Sequence, residues 1–332
     1  MTTTAMLFRR TLLKSLPASL ITVPIQGPAA RLAREWTLHV PFPPGGSPDL
    51  LARVLADEAR ARTGASVVVL NTSGVNGELG LRRFLQQDPD GAHFLVAPDS
   101  LIVINPWVYH RPNADPLHGL EPLGAIAGAP QFLLVRTDDS IRSLTELAAA
   151  ARDAPLDFGS GGVGGQPHLL MLQLAGRLGI RVHHVPYRTN GLAALGVASG
   201  ETRAVIAGTS ALGLVRSGRL RVIAVSTPQR LAAWPEVPTL AEDLPGFTAL
   251  VWIGLFGTRS ATPTANTELI EFARSTLSEA AVRDRIESTS GLQPLMIERE
   301  GFTRLIAEDL KRYRALLRTA LGDGVLSKPR GA

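Results

Sequence analysis

Short apolar runs alternate along this chain with longer stretches in which apolar residues recur every three or four positions. Residues 36–42, 67–70, 94–97, 132–135, 203–207 and 220–225 carry the first pattern and read as strands. Residues 50–63 carry the second, with Leu51, Val54, Leu55 and Ala59 on one face, and residues 143–151 and 168–178 repeat it. Strands separated by helices predict βαβ units around largely parallel sheets, an α/β class. Residues 264–321 read as helices, with Arg304, Lys311, Arg312 and Arg314 as an ordinary solvated face. No internal repeat or low-complexity linker interrupts the series. The chain is therefore expected to cross between domains at strands.

Length and composition narrow this further. The 332 residues suffice for about two domains. A hydrophobic content of 45% with 19% charged residues excludes a disordered chain and a polytopic membrane protein. Cysteine is absent, which removes disulfides, thiolate zinc, iron–sulfur clusters and cysteine nucleophiles. The formal net charge of +5 is concentrated at the start of the chain. Arg9, Arg10 and Lys14 precede an uncharged run over 15–25 and the small residues Gly27-Pro28-Ala29-Ala30, and no acid occurs before Glu35. Residues 1–33 thus read as an export signal too short to span a bilayer, leaning toward the twin-arginine type; the alternative is a plain N-terminal tail. A periplasmic, nearly neutral mature chain is the expectation. No later uncharged apolar run reaches about 18 residues, so a soluble body is expected.

Two glycine-rich turns, each between a strand and a helix, are the candidate chemistry. In the first, Pro41-Phe42-Pro43-Pro44-Gly45-Gly46-Ser47-Pro48-Asp49, Ser47 is placed to cap a helix, Pro48 to open it and Asp49 to sit in its positive first turn. Gly45 and Gly46 leave backbone amides uncovered, as an anion site requires; a well-capped turn is the structural alternative. In the second, Ser160-Gly161-Gly162-Val163-Gly164-Gly165-Gln166-Pro167-His168 offers a run of N–H groups, with Ser160, Gln166 and His168 able to face a ligand. Two such turns in different halves suggest one small carboxylate-bearing ligand gripped between two lobes.

Catalytic and nucleic-acid readings are weaker. Gly159-x-Gly161-x-x-Gly164 matches a dinucleotide pattern only formally, and no Gly-Lys-Ser/Thr follows. Ser160 lacks the nucleophile elbow because Asp157 stands where its first glycine belongs. A hydrolase using Ser160 and His168 is therefore a minor alternative. His183 and His184 alternate to opposite faces of a strand and cannot easily share a metal. Aromatics are 5% and are not interleaved with basic residues, so no nucleic-acid partner is expected.

The order of motifs resembles the Bug receptors, the periplasmic solute-binding proteins of tripartite tricarboxylate transporters. The matching pieces begin with Val40-Pro41-Phe42-x-Pro44-Gly45-Gly46-Ser47-x-Asp49, Asn71-x-x-Gly74-x-x-Gly77, Pro89-Asp90-Gly91 and Asn105-Pro106-x-x-Tyr109. They continue with Gly159-Ser160-Gly161-Gly162-Val163-Gly164, Val185-Pro186-Tyr187-Arg188, Val237-Pro238-Thr239-Leu240 and Leu244-Pro245-Gly246-Phe247. The resemblance implies a two-lobed, Venus-flytrap (type II-like) periplasmic-binding-protein fold, with parallel or mixed sheets flanked by helices. Lobe 1 would comprise 35–128 with 249–332, and lobe 2 would comprise 129–248. It further implies ligand contacts from Phe42, Gly45, Gly46, Ser47, Asp49 and Ser100 in lobe 1. Those in lobe 2 would be Ser160, Gly161, Gly162, Gly164, His168, Tyr187, Thr209 and Ser210. Asp49 as a cap and Tyr187 as core are the competing readings.

Two departures bear on the ligand. Ala207-Gly208-Thr209-Ser210 stands where many family members carry Asp-Asn, which replaces a carboxylate by neutral hydroxyls and weakens an amino-acid receptor reading. Asp99 stands where small uncharged residues are usual; it either faces the cleft or points to solvent or caps a helix. The expected function is a non-enzymatic receptor that needs no cofactor or metal and acts as a monomer. It would close on a small organic carboxylate and deliver it to a membrane permease, or alternatively to a membrane sensor kinase.

Overall fold

The structure, a computed structural model, describes residues 35–88, 92–109, 115–260 and 263–321. The expected export segment and the Pro89-Asp90-Gly91 motif lie outside the described residues. The first elements are β1 (Trp36–Val40), α1 (Ser47–Thr63), β2 (Val67–Asn71), α2 (Glu78–Phe84), β3 (His93–Pro98), α3 (Asn105–Val108) and β4 (Leu120–Pro130). Next come β5 (Phe132–Arg136), α4 (Leu144–Ala150), β6 (Leu156–Ser160), α5 (Gln166–Leu178), β7 (Val182–Pro186), α6 (Asn190–Ser199), β8 (Ala204–Ala207), α7 (Leu212–Arg216) and β9 (Leu220–Val225). The chain continues through α8 (Leu240–Asp243), β10 (Leu250–Thr258), α9 (Pro263–Ser278), α10 (Ala280–Ser290), β11 (Gln293–Glu298) and α11 (Arg299–Leu321).

These strands form two mixed sheets. One has the order β11-β4-β10-β3-β1-β2, the other β7-β6-β8-β5-β9. In the first, β1 pairs parallel with β2 and β3, while β10 runs antiparallel to β3 and β4. In the second, β6 pairs parallel with β7 and β8, and β5 antiparallel with β8 and β9. The chain leaves the first sheet through Gln131, the single residue between β4 and β5, and returns after β9. The two crossings are stitched together. The Gln131 N–H donates to Ser226 Oγ at 2.9 Å, the Ser226 N–H donates to the Gln131 carbonyl at 2.9 Å, and the Ala249 N–H donates to the Ser226 carbonyl at 2.9 Å.

The expected strands and helices are present with shifted ends, for identifiable reasons. β1 stops at Val40 rather than at 42 because Pro41 and Pro43 carry no N–H to continue the ladder. Helix α1 begins at Ser47, ahead of the expected 50, and buries Leu51, Ala52, Leu55 and Ala59 in one cluster with Leu38, Val40 and Phe94. Burial of each such leucine contributes about 1.5–3 kcal/mol over exposure. The 264–321 stretch is not purely helical. Strand β11 interrupts it and pairs with β4, its polar edge position having hidden it among helical periodicities. The long strands β4 and β10 were not among the expected strands, although β10, Leu250–Thr258, is an apolar run rich in β-branched and aromatic residues. The run Leu120–Pro130 is rich in Gly, Ala and Pro, weak strand formers that become strand only because both faces are buried.

Candidate functional site

The β1–α1 and β6–α5 turns belong to different sheets, and each touches the opposite half: Ser47 meets Thr209 after β8, and Gly164 lies beside Val108 of α3. Ser47 does not cap α1, as the sequence suggested. The N-cap is Gly46 in an extended conformation, with no side-chain cap, and Pro48 sits inside the first turn. The Ser47 hydroxyl instead lies 3.0 Å from Thr209 Oγ1, after β8 in the other sheet. The first helical hydrogen bond runs from the Leu50 N–H to the Gly46 carbonyl at 3.0 Å. The amides of Ser47 and Asp49 therefore fall in the turn where an α-helix offers no acceptor of its own.

Asp49 is neither a cap nor exposed to a ligand. It is 1% exposed, and its carboxylate accepts from the Gly45 N–H at 2.9 Å. It also accepts from the Arg53 guanidinium at 2.9 and 3.0 Å and from Asn71 Nδ2 at 3.0 Å. Asn71 Nδ2 reaches the Phe42 carbonyl as well, at 3.1 Å. One carboxylate thus ties both ends of the proline-glycine turn, and Gly45 supplies the left-handed φ of 84° that lets its amide turn back to Asp49. Burial pushes the Asp49 carboxyl up, but the bonds from Arg53, Gly45 and Asn71 outweigh it and hold it below the ordinary carboxylate value. Phe42 is half-buried on the core of this half.

The second turn differs from its sequence reading in which amides remain open. The Gly161 N–H donates to Asn190 Oδ1 at 2.7 Å, that of Gly164 to His168 Nδ1 at 2.9 Å, and that of Gly165 to the Gly162 carbonyl at 3.3 Å. These glycine amides are spent on the turn itself. The first-turn amides of α5, from Gln166 and His168, are the ones left without a helical acceptor, since the Leu169 N–H makes the first helical bond, to Gly165 at 3.0 Å. Gly164 combines a φ of 78° with close approach: a Cβ there would lie 2.7 Å from Val108 Cγ2 of α3, in the other half.

Ser160 is 1% exposed; its Oγ lies 3.1 Å from the Gly162 carbonyl and 2.7 Å from His184 Nε2. Its histidine partner is thus His184, not His168, and the expected Ser160/His168 pairing does not form. His168 accepts through Nδ1, which assigns its proton to Nε2. The His168 and His184 rings stack at 4.0 Å, with Phe158 at 5.8 and 4.9 Å. Burial, then the neighbouring His184, lowers His168 to about 4; burial, then His183, lowers His184. Both rings are neutral at neutral pH. His183 points the other way, to Asp157 Oδ1 at 2.8 Å.

Tyr187 is half-buried with its ring against Gly159 and Gly196 on the core of the second sheet, and its N–H donates to the Ser160 carbonyl at 2.8 Å. Thr209 is buried against Ser47, Ser210 is exposed, and Ser100 is half-buried at the start of a π-helical turn. Asp99 does not point to solvent; it occupies the N-cap position of the π-helical turn, without a side-chain cap bond. It is fully buried and accepts from the Tyr313 hydroxyl of α11 at 3.2 Å, while burial and then the Asp309 carboxylate push it up to about 7. Arg53, Val108 and Asn190 were not singled out from sequence, and His184 was weighed only as a metal ligand. Only Arg53 carried a signal, its position four residues after Asp49 on one helix.

Contacts from the second half onto the first extend beyond the turns. Leu169 of α5 is buried with Leu101, Ile102 and Tyr313, and Arg216 donates to the Thr289 carbonyl at 2.7 Å. Among the described residues no helix is long and apolar enough to cross a membrane.

Two mixed sheets joined by paired crossings are the architecture of a periplasmic solute-binding protein. Residues 51–321 match the family described as the tripartite tricarboxylate transporter family receptor. The chain belongs to that family, that of the Bug receptors, whose members and structural neighbours bind substrates and are not enzymes. A protein encoded between tcbD and tcbE in Pseudomonas sp. strain P51 is 32% identical over 291 residues, covering 83% of this chain and 86% of the relative. BugT of Bordetella pertussis is 29% identical over 295 residues, covering 86% and 89%. Among solved structures, Rpa4515 of R. palustris with adipate superposes with a TM-score of 0.81 at 26% identity, over 87% of this chain and 97% of that one. The malate-bound MatC of Rhodopseudomonas palustris shares the fold at a TM-score of 0.73 and 23% identity, over 86% and 99%.

Proposed function

We propose that this chain is an exported receptor that closes its two lobes on a small organic carboxylate and hands it to the membrane subunits of a tripartite tricarboxylate-type transporter. The observation that carries the reading is a pair of helix N-termini, α1 and α5, one from each half, both without a side-chain cap and both in turns that contact the opposite half: the α1 turn through Ser47 on Thr209, the α5 turn through Gly164 beside Val108. The first-turn amides of such N-termini, aided by the helix dipoles, hold an anion without a cationic side chain. The lobes would follow the two sheets, 35–128 with 249–332 and 129–248, and the stitched crossings at Gln131, Ser226 and Ala249 would serve as the hinge. A ligand touching both turns favours the closed state by its differential affinity for it. The adipate and malate held by Rpa4515 and MatC support the same ligand class here.

In this reading Gly46, Ser47, Gln166 and His168 present donors, and Phe42, Ser100, Thr209 and Ser210 line the surrounding space. Asp49, Ser160, Gly161 and Gly164 shape the turns. Isothermal titration of ligand-free protein with mono-, di- and tricarboxylates tests it. Saturable uptake of at least one acid at one site per chain is expected. A flat response to every acid from folded protein overturns it.

A further inference from the structure

The β1–α1 turn raises an electrostatic difficulty for an anion receptor. Directly behind the amides of Gly46 and Ser47 sits a buried carboxylate, Asp49, in the first turn of the same helix. It shapes the turn, accepting from the Gly45 N–H and from Asn71, which in turn holds the Phe42 carbonyl. Its carboxyl is held below the usual range, so it is ionised wherever the protein works. A ligand carboxylate arriving at this helix end meets a like charge beneath the donors, which works against the helix dipole.

Arg53 lies one helical turn further along α1 and faces that carboxylate with a two-pronged hydrogen bond, Nε to Oδ2 at 2.9 Å and Nη2 to Oδ1 at 3.0 Å. Its Nη2 also reaches Asn71 Oδ1 at 3.3 Å, so one guanidinium spans both groups that shape the turn. The Arg53 side chain is 50% exposed, so its removal leaves no cavity in the core. A surface arginine needed only for stability would matter little; one that cancels a charge beneath an anion site acts on affinity.

We infer that Arg53 is a positioning residue of the binding site, which neutralises Asp49 behind the Gly45–Ser47 turn so that the turn presents a net attractive field to an anionic ligand. This rests on the carboxylate-receptor reading. Asp49 and Arg53 then work as a unit: the acid shapes the turn, and the base keeps that acid from repelling the ligand.

The test is isothermal titration of wild type, Arg53→Gln, Arg53→Lys and the double variant Asp49→Asn/Arg53→Gln with malate and adipate as probes, each protein checked by circular dichroism. Arg53→Gln keeps the stem and loses the charge; its affinity falls about tenfold at low salt, as expected for one uncompensated like charge near a bound ion. The deficit shrinks in high salt and as pH falls toward protonation of Asp49. Arg53→Lys retains most of the affinity. The double variant recovers most of the loss, because Asn at 49 still accepts from the Gly45 N–H and carries no charge. Wild-type binding with an unchanged Arg53→Gln, or a double variant as weak as the single one, overturns the inference while the receptor reading stands. If folded wild type takes up neither probe nor any other carboxylate, the receptor reading fails and the inference fails with it.

Discussion

Replacing Asp99 by asparagine places a neutral amide where the structure holds a buried carboxyl group that accepts from the Tyr313 hydroxyl. Burial, and then the Asp309 carboxylate, raise Asp99 from 3.8 to about 7. Arg312 pairs with Asp309 at 2.9 Å and only partly offsets this. A raised acid binds its proton more tightly folded than unfolded. Its contribution is therefore fully present below about pH 4, declines as pH rises, and is lost above about pH 7. The full span corresponds to about 4 kcal/mol, an upper figure because local opening admits water. Urea denaturation of both proteins from pH 4 to 8 isolates this group, because the other carboxylates cancel in the difference between them. The two should be nearly equal in stability near pH 4, with the Asp99→Asn variant the more stable by a few kcal/mol at pH 8. Parallel stability curves across that window would refute a neutral buried Asp99.

Other substitutions probe the two strand-to-helix turns. Gly46 has φ −78°, and a Cβ there meets nothing nearer than 3.7 Å, so Gly46→Val should fold normally but cover the α1 amides. Carboxylate affinity by titration should then drop about tenfold or more. Gly164→Ala forces a side chain against Val108 at a φ of 78°, which costs about 1–2 kcal/mol of stability and props the halves apart. Solution scattering at saturating ligand should show a larger radius than wild type, and an identical profile would count against contact there during closure. Ser160→Ala strips partners from His184 and the Gly162 carbonyl. A loss of about 1–3 kcal/mol in denaturation is expected, and an unchanged midpoint would remove Ser160 as the support of that turn.

The two strand-to-helix turns of the candidate site were legible in the sequence, because glycine and proline at such a junction admit few backbone solutions. The duties of side chains within those turns were not. Ser47 looked like a cap, yet whether a residue caps depends on which backbone position turns extended. Gly46 took that conformation and released Ser47 to meet Thr209 from a distant strand. Asp49 looked like a first-turn acid, and its true partners include Asn71, twenty-two residues away. The glycine amides after β6 looked open, but Asn190 and His168 claim them through contacts that only the folded chain creates. Asp99 was ambiguous for the same reason, since Tyr313 lies 214 residues away. Strand β4 escaped notice because its small residues are strand formers only under burial on both faces, whereas β10, rich in β-branched and aromatic residues, carried a strand signal that was passed over.

The identity of whatever the receptor carries tests the central claim most directly. Protein purified under native conditions, exchanged into a volatile buffer and then denatured should release a small carboxylic acid, measured by mass spectrometry at close to one per chain. The same acid, added back to stripped protein, should restore compactness in solution scattering. Release of a bound species without a carboxylate, such as a sugar or an amine, at that stoichiometry would contradict the account.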